Sequence, residues 1–309
     1  MSTLLISHPA CLDHVVPAGH PERPDRLRAV NRALEAEKFQ SLPRAEAPMA
    51  PLEAIALCHP MDYITAIRDA APREGMVQLD GDTSMSPGSF EAALRAVGGG
   101  LRAVDEVLAK RANNAFVATR PPGHHAETAR PMGFCLFDNA AIAARYAQDH
   151  HGISRPAIVD FDVHHGNGSQ EIFWSDKTVM YCSTHQMPLF PGTGAVGESG
   201  DHNTIVNAPL RPGDGAAAFR DAFESRILPR LAEFKPDLVI ISAGFDAHMR
   251  DPLANINLAE EDFAWATLKL MDIADRSAAG RVVSLLEGGY DLQALGNSVA
   301  AHVGALMQG

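Results

Sequence analysis

From Ala115 onward, short apolar runs take turns with longer segments whose apolar residues recur every three or four positions. The runs at Ala115–Thr119, Ala157–Asp162, Val179–Ser183, Asp237–Ala243 and Val282–Leu286 have the length of buried strands, and Thr3–Ser7 makes a sixth. Helical spacing predicts helices over Phe137–Asp149, Gly168–Trp174, Ala216–Phe234, Glu260–Ser277 and Leu292–Met307. Upstream, Pro24–Lys38, Glu53–Leu57, Met61–Ala70 and Phe90–Arg111 read the same way, and residues 72–88, rich in Gly, Pro, Asp and Ser, read as a loop. Apolar strands separated by helices belong to a parallel sheet covered on both faces. No linker, repeat or composition shift divides the chain, so residues 1–309 are expected to form one α/β domain.

In such sheets ligands bind beyond the carboxyl ends of the strands. Polar residues gather there: Arg120-Pro-Pro-Gly-His-His-Ala126, then Asp160, Asp162 and His164, then Ser183, Thr184 and His185, then Gly244-Phe-Asp-Ala-His248, then Glu287-Gly-Gly-Tyr-Asp291. Strand alternation puts Asp160, Asp162 and His164 on one side and Val159, Phe161 and Val163 on the other. Two carboxylates and an imidazole make a costly core surface unless a cation joins them.

Asp162, His164 and Asp246 are therefore the expected metal ligands, three donors that leave a position open for water or substrate. Zn²⁺ is the first choice, with Fe²⁺ and Co²⁺ left open by the donor set. His124 and His125 are candidates for the acid and base of a hydrolysis, with Asp160 and Asn167 as the neighbours that would set their tautomers. The Tyr290 phenol is placed to hydrogen-bond a developing oxyanion.

The net charge of −12 and the lack of any Lys/Arg run speak against nucleic acid and membrane partners. No apolar stretch approaches the ~20 residues of a membrane span. The N-terminal segment has no signal-peptide pattern, and the four scattered cysteines form no C-x-x-C pair, so a cytoplasmic setting is expected.

Six motifs in order, Arg120-Pro-Pro-Gly-His-His-Ala, Gly133-Phe-Cys-Leu-Phe-Asp-Asn, Asp160-Phe-Asp-Val-His-His-Gly-Asn-Gly, Phe190-Pro-Gly-Thr-Gly, Ser242-Ala-Gly-Phe-Asp and Glu287-Gly-Gly-Tyr, resemble the histone deacetylase and acetylpolyamine amidohydrolase family. The opening His20-Pro-Glu-Arg-Pro-Asp-Arg-Leu is similar to its class II branch and bacterial relatives. The resemblance implies a single-domain, three-layer arginase-like α/β fold around a central, mainly parallel eight-stranded sheet. It implies hydrolysis of Nε-acyl-lysine in proteins or peptides, or of acetylated polyamines and other small amides, with one catalytic zinc ion. By position, Asp162, His164 and Asp246 match the zinc ligands, His124 and His125 the tandem histidines, and Tyr290 the carbonyl-polarising tyrosine. Phe134 and Phe190 match the tunnel walls, Gly133 its floor, and Asp82 a rim residue that holds the substrate amide. Asp160, Asp162, His164, Ser183 and Thr184 align with a potassium site, and Arg26 with an arginine of an internal acetate channel.

Two positions refine the expectation. Leu253 stands where polyamine-selective members can carry an acidic gatekeeper, which favours lysine-type or neutral amides. Asn167, aspartate in some relatives, leaves His125 without a carboxylate partner, so His125 is assigned as general base and then acid, with His124 kept cationic by Asp160. A non-catalytic acyl-lysine-binding module is the alternative of another class, and the complete set of ligands, histidines and Tyr290 argues against it. A two-metal manganese ureohydrolase would want more carboxylates. Homo-oligomerisation is left open.

Overall fold

A computed structural model describes residues 2–308. The N-terminal part runs β1 (Thr3–Ser7), α1 (Pro24–Ala33), β2 (Arg44–Glu46), α2 (Leu52–Ile55), α3 (Met61–Ala70), β3 (Val77–Gln78), β4 (Ser84–Met85) and α4 (Ser89–Leu108). There follow β5 (Asn114–Ala118), α5 (Asn139–His151), β6 (Pro156–Asp160), α6 (Asn167–Ile172), β7 (Met180–Gln186) and β8 (Ile205–Leu210). The chain closes with α7 (Ala216–Ala222), α8 (Leu228–Phe234), β9 (Leu238–Ala243), α9 (Glu260–Ser277), β10 (Val282–Leu286) and α10 (Leu292–Leu306).

Eight strands form one sheet in the order β2-β1-β5-β10-β9-β6-β7-β8. Every pairing within it is parallel. One face packs on α1, α7, α8, α9 and α10 through residues such as Leu27, Phe219, Leu231, Leu270 and Leu295. The other packs on α2 to α5 through Ile55, Ile64, Leu94 and Ala141. This is the single-domain, three-layer α/β arrangement expected, with a wholly parallel sheet.

Several boundaries moved, each for a local reason. Helix α1 stops at Ala33 rather than Lys38. Leu27, Val30 and Leu34 share a face, but Phe39 would point about 150° away from it in a continuous helix; a 3₁₀ turn at Glu37–Phe39 buries it instead. The expected helix 216–234 keeps both its ends, with a π turn at Phe223–Ile227 inside it just before Pro229, which has no N–H to donate. The loop 72–88 contains the small antiparallel pair β3–β4. The two edge strands, β2 and β8, carried no apolar pattern strong enough to see. One is three residues with exposed charged ends and the other contains Pro209, both common ways of blunting an edge. The Gly98-Gly-Gly100 run in α4 is a site of close approach, since a side chain at Gly98 would strike the Pro48 carbonyl.

Strand β6 ends at Asp160, so Asp162 and His164 lie beyond the ladder rather than on it. The alternation persists because the side chains replace the lost backbone partners. Asp162 N–H donates to Asp160 Oδ1 (3.0 Å) and His164 N–H to Asp162 Oδ1 (2.9 Å). Conversely, β7 runs on through Gln186, so Ser183, Thr184 and His185 are strand residues. None of the described helices is long and apolar enough to cross a membrane.

Candidate active site

The loops after β5, β6, β9 and β10 meet at one end of the sheet. Ligand atoms of Asp162, His164 and Asp246 all lie within 4.8 Å of one another, and all three residues are buried. His164 Nδ1 is 3.2 Å from Asp162 Oδ1 and 3.1 Å from Asp246 Oδ2. The other carboxylate oxygens are held by backbone: Asp246 Oδ1 accepts from Val163 N–H (2.8 Å) and Asp162 Oδ2 from Gly288 N–H (2.8 Å). Burial and the Asp162 charge push Asp246 up to about 6. Burial opposes charge on His164, yet hydrogen bonds to the two aspartates carry it up to about 10. Two buried carboxylates converging on one point call for a cation between them, so the donor set fits a metal ion.

The tandem histidines have unlike partners. His124 Nδ1 is 2.9 Å from Asp160 Oδ2, which also accepts from the Tyr181 hydroxyl at 3.0 Å. Burial works against its charge, but Asp160 and Asp162 overcome it and hold the imidazole well above its usual range. His125 Nδ1 is 2.9 Å from Asn167 Oδ1. The Asn167 amide is oriented by Glu127, whose Oε1 accepts from Asn167 Nδ2 at 2.8 Å. Its oxygen must therefore face His125, which makes Nδ1 the donor and leaves Nε2 with a lone pair. Burial first, then the neighbouring His124 and His164, hold His125 well below the usual range. The neutral and the cationic imidazole lie with centroids 4.0 Å apart and their planes tilted by 42°.

Above them opens a cavity of about 270 Å³ lined by Asp82, His125, Gly133, Phe134, His164, Leu189, Phe190, Leu253 and Tyr290. The expected rim and wall residues Asp82, Gly133, Phe134, Phe190 and Leu253 are thus all brought together. Phe134 sits at φ +70°, an unusual backbone for a bulky residue. Its N–H is held by Thr83 Oγ1 and that of Gly133 by Asp82 Oδ1, both at 3.0 Å. A side chain at Gly133 would run into the His125 ring. Burial raises the Tyr290 phenol well above its usual range despite Arg26, so it remains a donor.

The histone deacetylase domain family matches residues 20–306. The chain belongs to the histone deacetylase family. It is 38% identical to the histone deacetylase-like amidohydrolase of Pseudomonas aeruginosa over 278 residues, covering 88% of this chain and 73% of that protein. It is also 38% identical to a probable deacetylase of Archaeoglobus fulgidus, covering 95% of this chain and 82% of the other. The crystal structure of the HDA15 HD domain superposes with a TM-score of 0.94 at 35% identity, covering 99% of this chain and 88% of that one. Family membership and these relatives make the chain a hydrolase acting on amide bonds. The cytoplasmic setting is still only an expectation, since a rice relative at 40% identity is named as a chloroplastic histone deacetylase.

Of the remaining expected positions, Arg26 is fully buried, its guanidinium 5.0 Å from the Tyr290 ring. Its nitrogens are taken by Gly289 O (2.6 Å), Glu22 Oε1 (2.9 Å) and the Glu287 carbonyl. Ser183 and Ser242 flank Asp160 in register on β7 and β9. The hydroxyls of Thr184 and Ser242 are buried without a partner, Ser242 on the Asp160 face of the sheet and Thr184 on the other. Ser183 Oγ is spent on His185 Nδ1 at 2.9 Å. Sequence reasoning missed Leu189 in the cavity wall, Glu127 behind Asn167, and Glu287, whose Oε2 accepts from the Gly123 and His124 N–H groups. Glu287 opens a motif already singled out for Tyr290, which was the available signal.

Proposed function

We propose that this hydrolase is a zinc-dependent deacylase of Nε-acyl-lysine. The observation that carries the reading is the cavity itself. Phe134, Phe190 and Leu253 form an apolar passage suited to an alkyl chain, leading to His125, Tyr290 and the three metal donors. Asp162, His164 and Asp246 would hold zinc, which when bound polarises an amide carbonyl and acidifies water. The Nε2 lone pair of His125 takes the proton of the attacking water and returns it to the leaving amine. The His124–Asp160 pair keeps a positive charge beside the reacting centre. The Tyr290 hydroxyl donates to the oxygen as charge develops on it. A potassium ion beside the site would take Asp160, Asp162, His164, Ser183 and Thr184, partly through backbone oxygens, and the partnerless Ser242 hydroxyl next to Asp160 supports it. Arg26 beneath Tyr290 is the residue that would meet released carboxylate.

An acetylated polyamine is the second substrate the site would serve, because Asp82 places a carboxylate at the cavity wall. Purified protein assayed on Nε-acetyl-lysine peptides and acetylated polyamines decides between them. The proposal expects the peptides to be preferred in kcat/KM; a preference for the polyamines overturns it, and no turnover of any acylated amine removes the deacylase reading.

A further inference from the structure

The loop carrying Tyr290 is held at three successive residues by side chains from three other segments. Gly288 N–H donates to Asp162 Oδ2 at 2.8 Å, the Gly289 carbonyl accepts from Arg26 Nε at 2.6 Å, and Tyr290 N–H donates to Asp251 Oδ2 at 2.7 Å. Gly289 lies at φ +124°, where only glycine is at ease, so the local chain has no strong preference of its own for this shape. The three partners choose it. Asp251 is buried, and its other oxygen, Oδ1, accepts from the N–H of Leu253 at 3.0 Å. Leu253 and Tyr290 both line the substrate cavity. Arg250, next in the chain, ties the same two loops again through Asp291 (3.2 Å) and Gln293 (3.1 Å).

We propose that Asp251 is a positioning residue that joins the cavity wall at Leu253 to the reacting end at Tyr290 through one carboxylate. The inference rests on the oxyanion role given to Tyr290 above. The ring of Tyr290 is otherwise steadied by the Arg26 guanidinium at 5.0 Å and the edge of Phe134 at 6.0 Å, contacts that tolerate sliding along the loop. A hydrogen bond to its own backbone nitrogen does not. Displacement of a donor by about 1 Å can cost on the order of 10²-fold in rate, so the clamp bears on turnover more than on binding.

The test compares wild type, Asp251→Ala, Asp251→Asn, Tyr290→Phe and the Asp251→Ala/Tyr290→Phe double variant, on whichever of an Nε-acetyl-lysine peptide or an acetylated polyamine is turned over faster. Backbone amide exchange is followed in the same proteins. Asp251→Ala is expected to lower kcat by roughly 10-fold or more with KM changed by less than about threefold. In the Tyr290→Phe background the same change should cost under about twofold, because both act through one hydroxyl. Exchange at the Tyr290 and Leu253 amides should quicken while Gly288, held by Asp162, keeps its protection. If Asp251→Ala does not fold, the near-isosteric Asp251→Asn, which removes one acceptor oxygen, carries both measurements. Multiplicative losses in the double variant, or unchanged exchange at Tyr290, overturn the proposal. A Tyr290→Phe protein that turns over at the wild-type rate overturns the oxyanion role instead.

Discussion

The Nδ1 nitrogen of His125 lies 2.9 Å from the amide oxygen of Asn167, an acceptor that carries no charge. Its neighbour His124 meets a carboxylate at the same distance. Adjacent imidazoles in one loop are thereby driven in opposite directions, one kept neutral and the other cationic. A neutral imidazole can accept a proton, whereas a cationic one held well above its usual range cannot accept one and gives its own up poorly, so the two should fail differently. His125→Ala is expected to lose at least ~10²-fold in kcat, and His124→Ala to keep more activity. Reversed effects would exchange the roles.

Asn167→Asp should turn the His125 partner into an anion and favour the imidazolium. A base that must be deprotonated then works only at higher pH, so the acid limb of kcat/KM should move up. Glu127 at 2.8 Å from the Asn167 amide nitrogen would repel the new carboxylate, so the shift should be larger in a Glu127→Gln background. An unmoved acid limb in both proteins would remove His125 as the titrating base.

The metal assignment is open to a direct check. Chelation should abolish hydrolysis, and one divalent ion per chain should restore it. Asp246→Ala should lose bound metal and turnover together. Full activity in a protein shown by elemental analysis to be metal-free would end the metal-dependent reading.

Gly288 tests how closely the loop after β10 approaches the donors. A Cβ there would strike the carboxylate oxygens of both Asp246 and Asp162. Gly288→Ala is expected to fold, since the clash is confined to the site, but to bind metal at least ~10-fold more weakly, the scale on which disturbed ligand orientation acts. Unchanged metal affinity would mean that the two aspartates have room to give way.

Stability should depend on pH through His302, a buried residue of α10 that faces α9 and β10. Its Nδ1 is 2.6 Å from Thr267 Oγ1 and its Nε2 2.8 Å from Ser284 Oγ. Thr267 already donates to Phe263 O at 2.7 Å, so the ring is the donor at Nδ1 and the acceptor at Nε2. Burial pushes this neutral imidazole down to about 3, against 6.5 when exposed. The unfolded chain therefore binds the extra proton between those values. The contribution is complete above pH 6.5 and drains away as the pH falls towards 3. Between pH 6 and 4.5, denaturant titrations of wild type should fall more steeply than those of His302→Gln, by about 1.4 kcal/mol per pH unit. Parallel slopes would show that His302 does not carry the effect.

By itself the sequence determined which residues could do the chemistry and in what order the strands deliver them. Apolar runs separated by helical repeats fix a parallel sheet, and a parallel sheet gathers its loops at one end. That is enough to bring Asp162, His164, Asp246, His124, His125 and Tyr290 to one end of the sheet. The edge strands β2 and β8 escaped, because short polar or proline-bearing edges have no alternation to detect. Only the tertiary structure decided what holds the chemistry in position. Glu127 orients Asn167 from 40 residues away, Asp251 grips Tyr290 from 39, and Arg26 reaches Gly289 across 263. Periodicity along a chain reports which side of an element is buried. It is silent about which distant donor meets which acceptor, because those pairs are set by the packing of the layers and leave no repeat in the sequence.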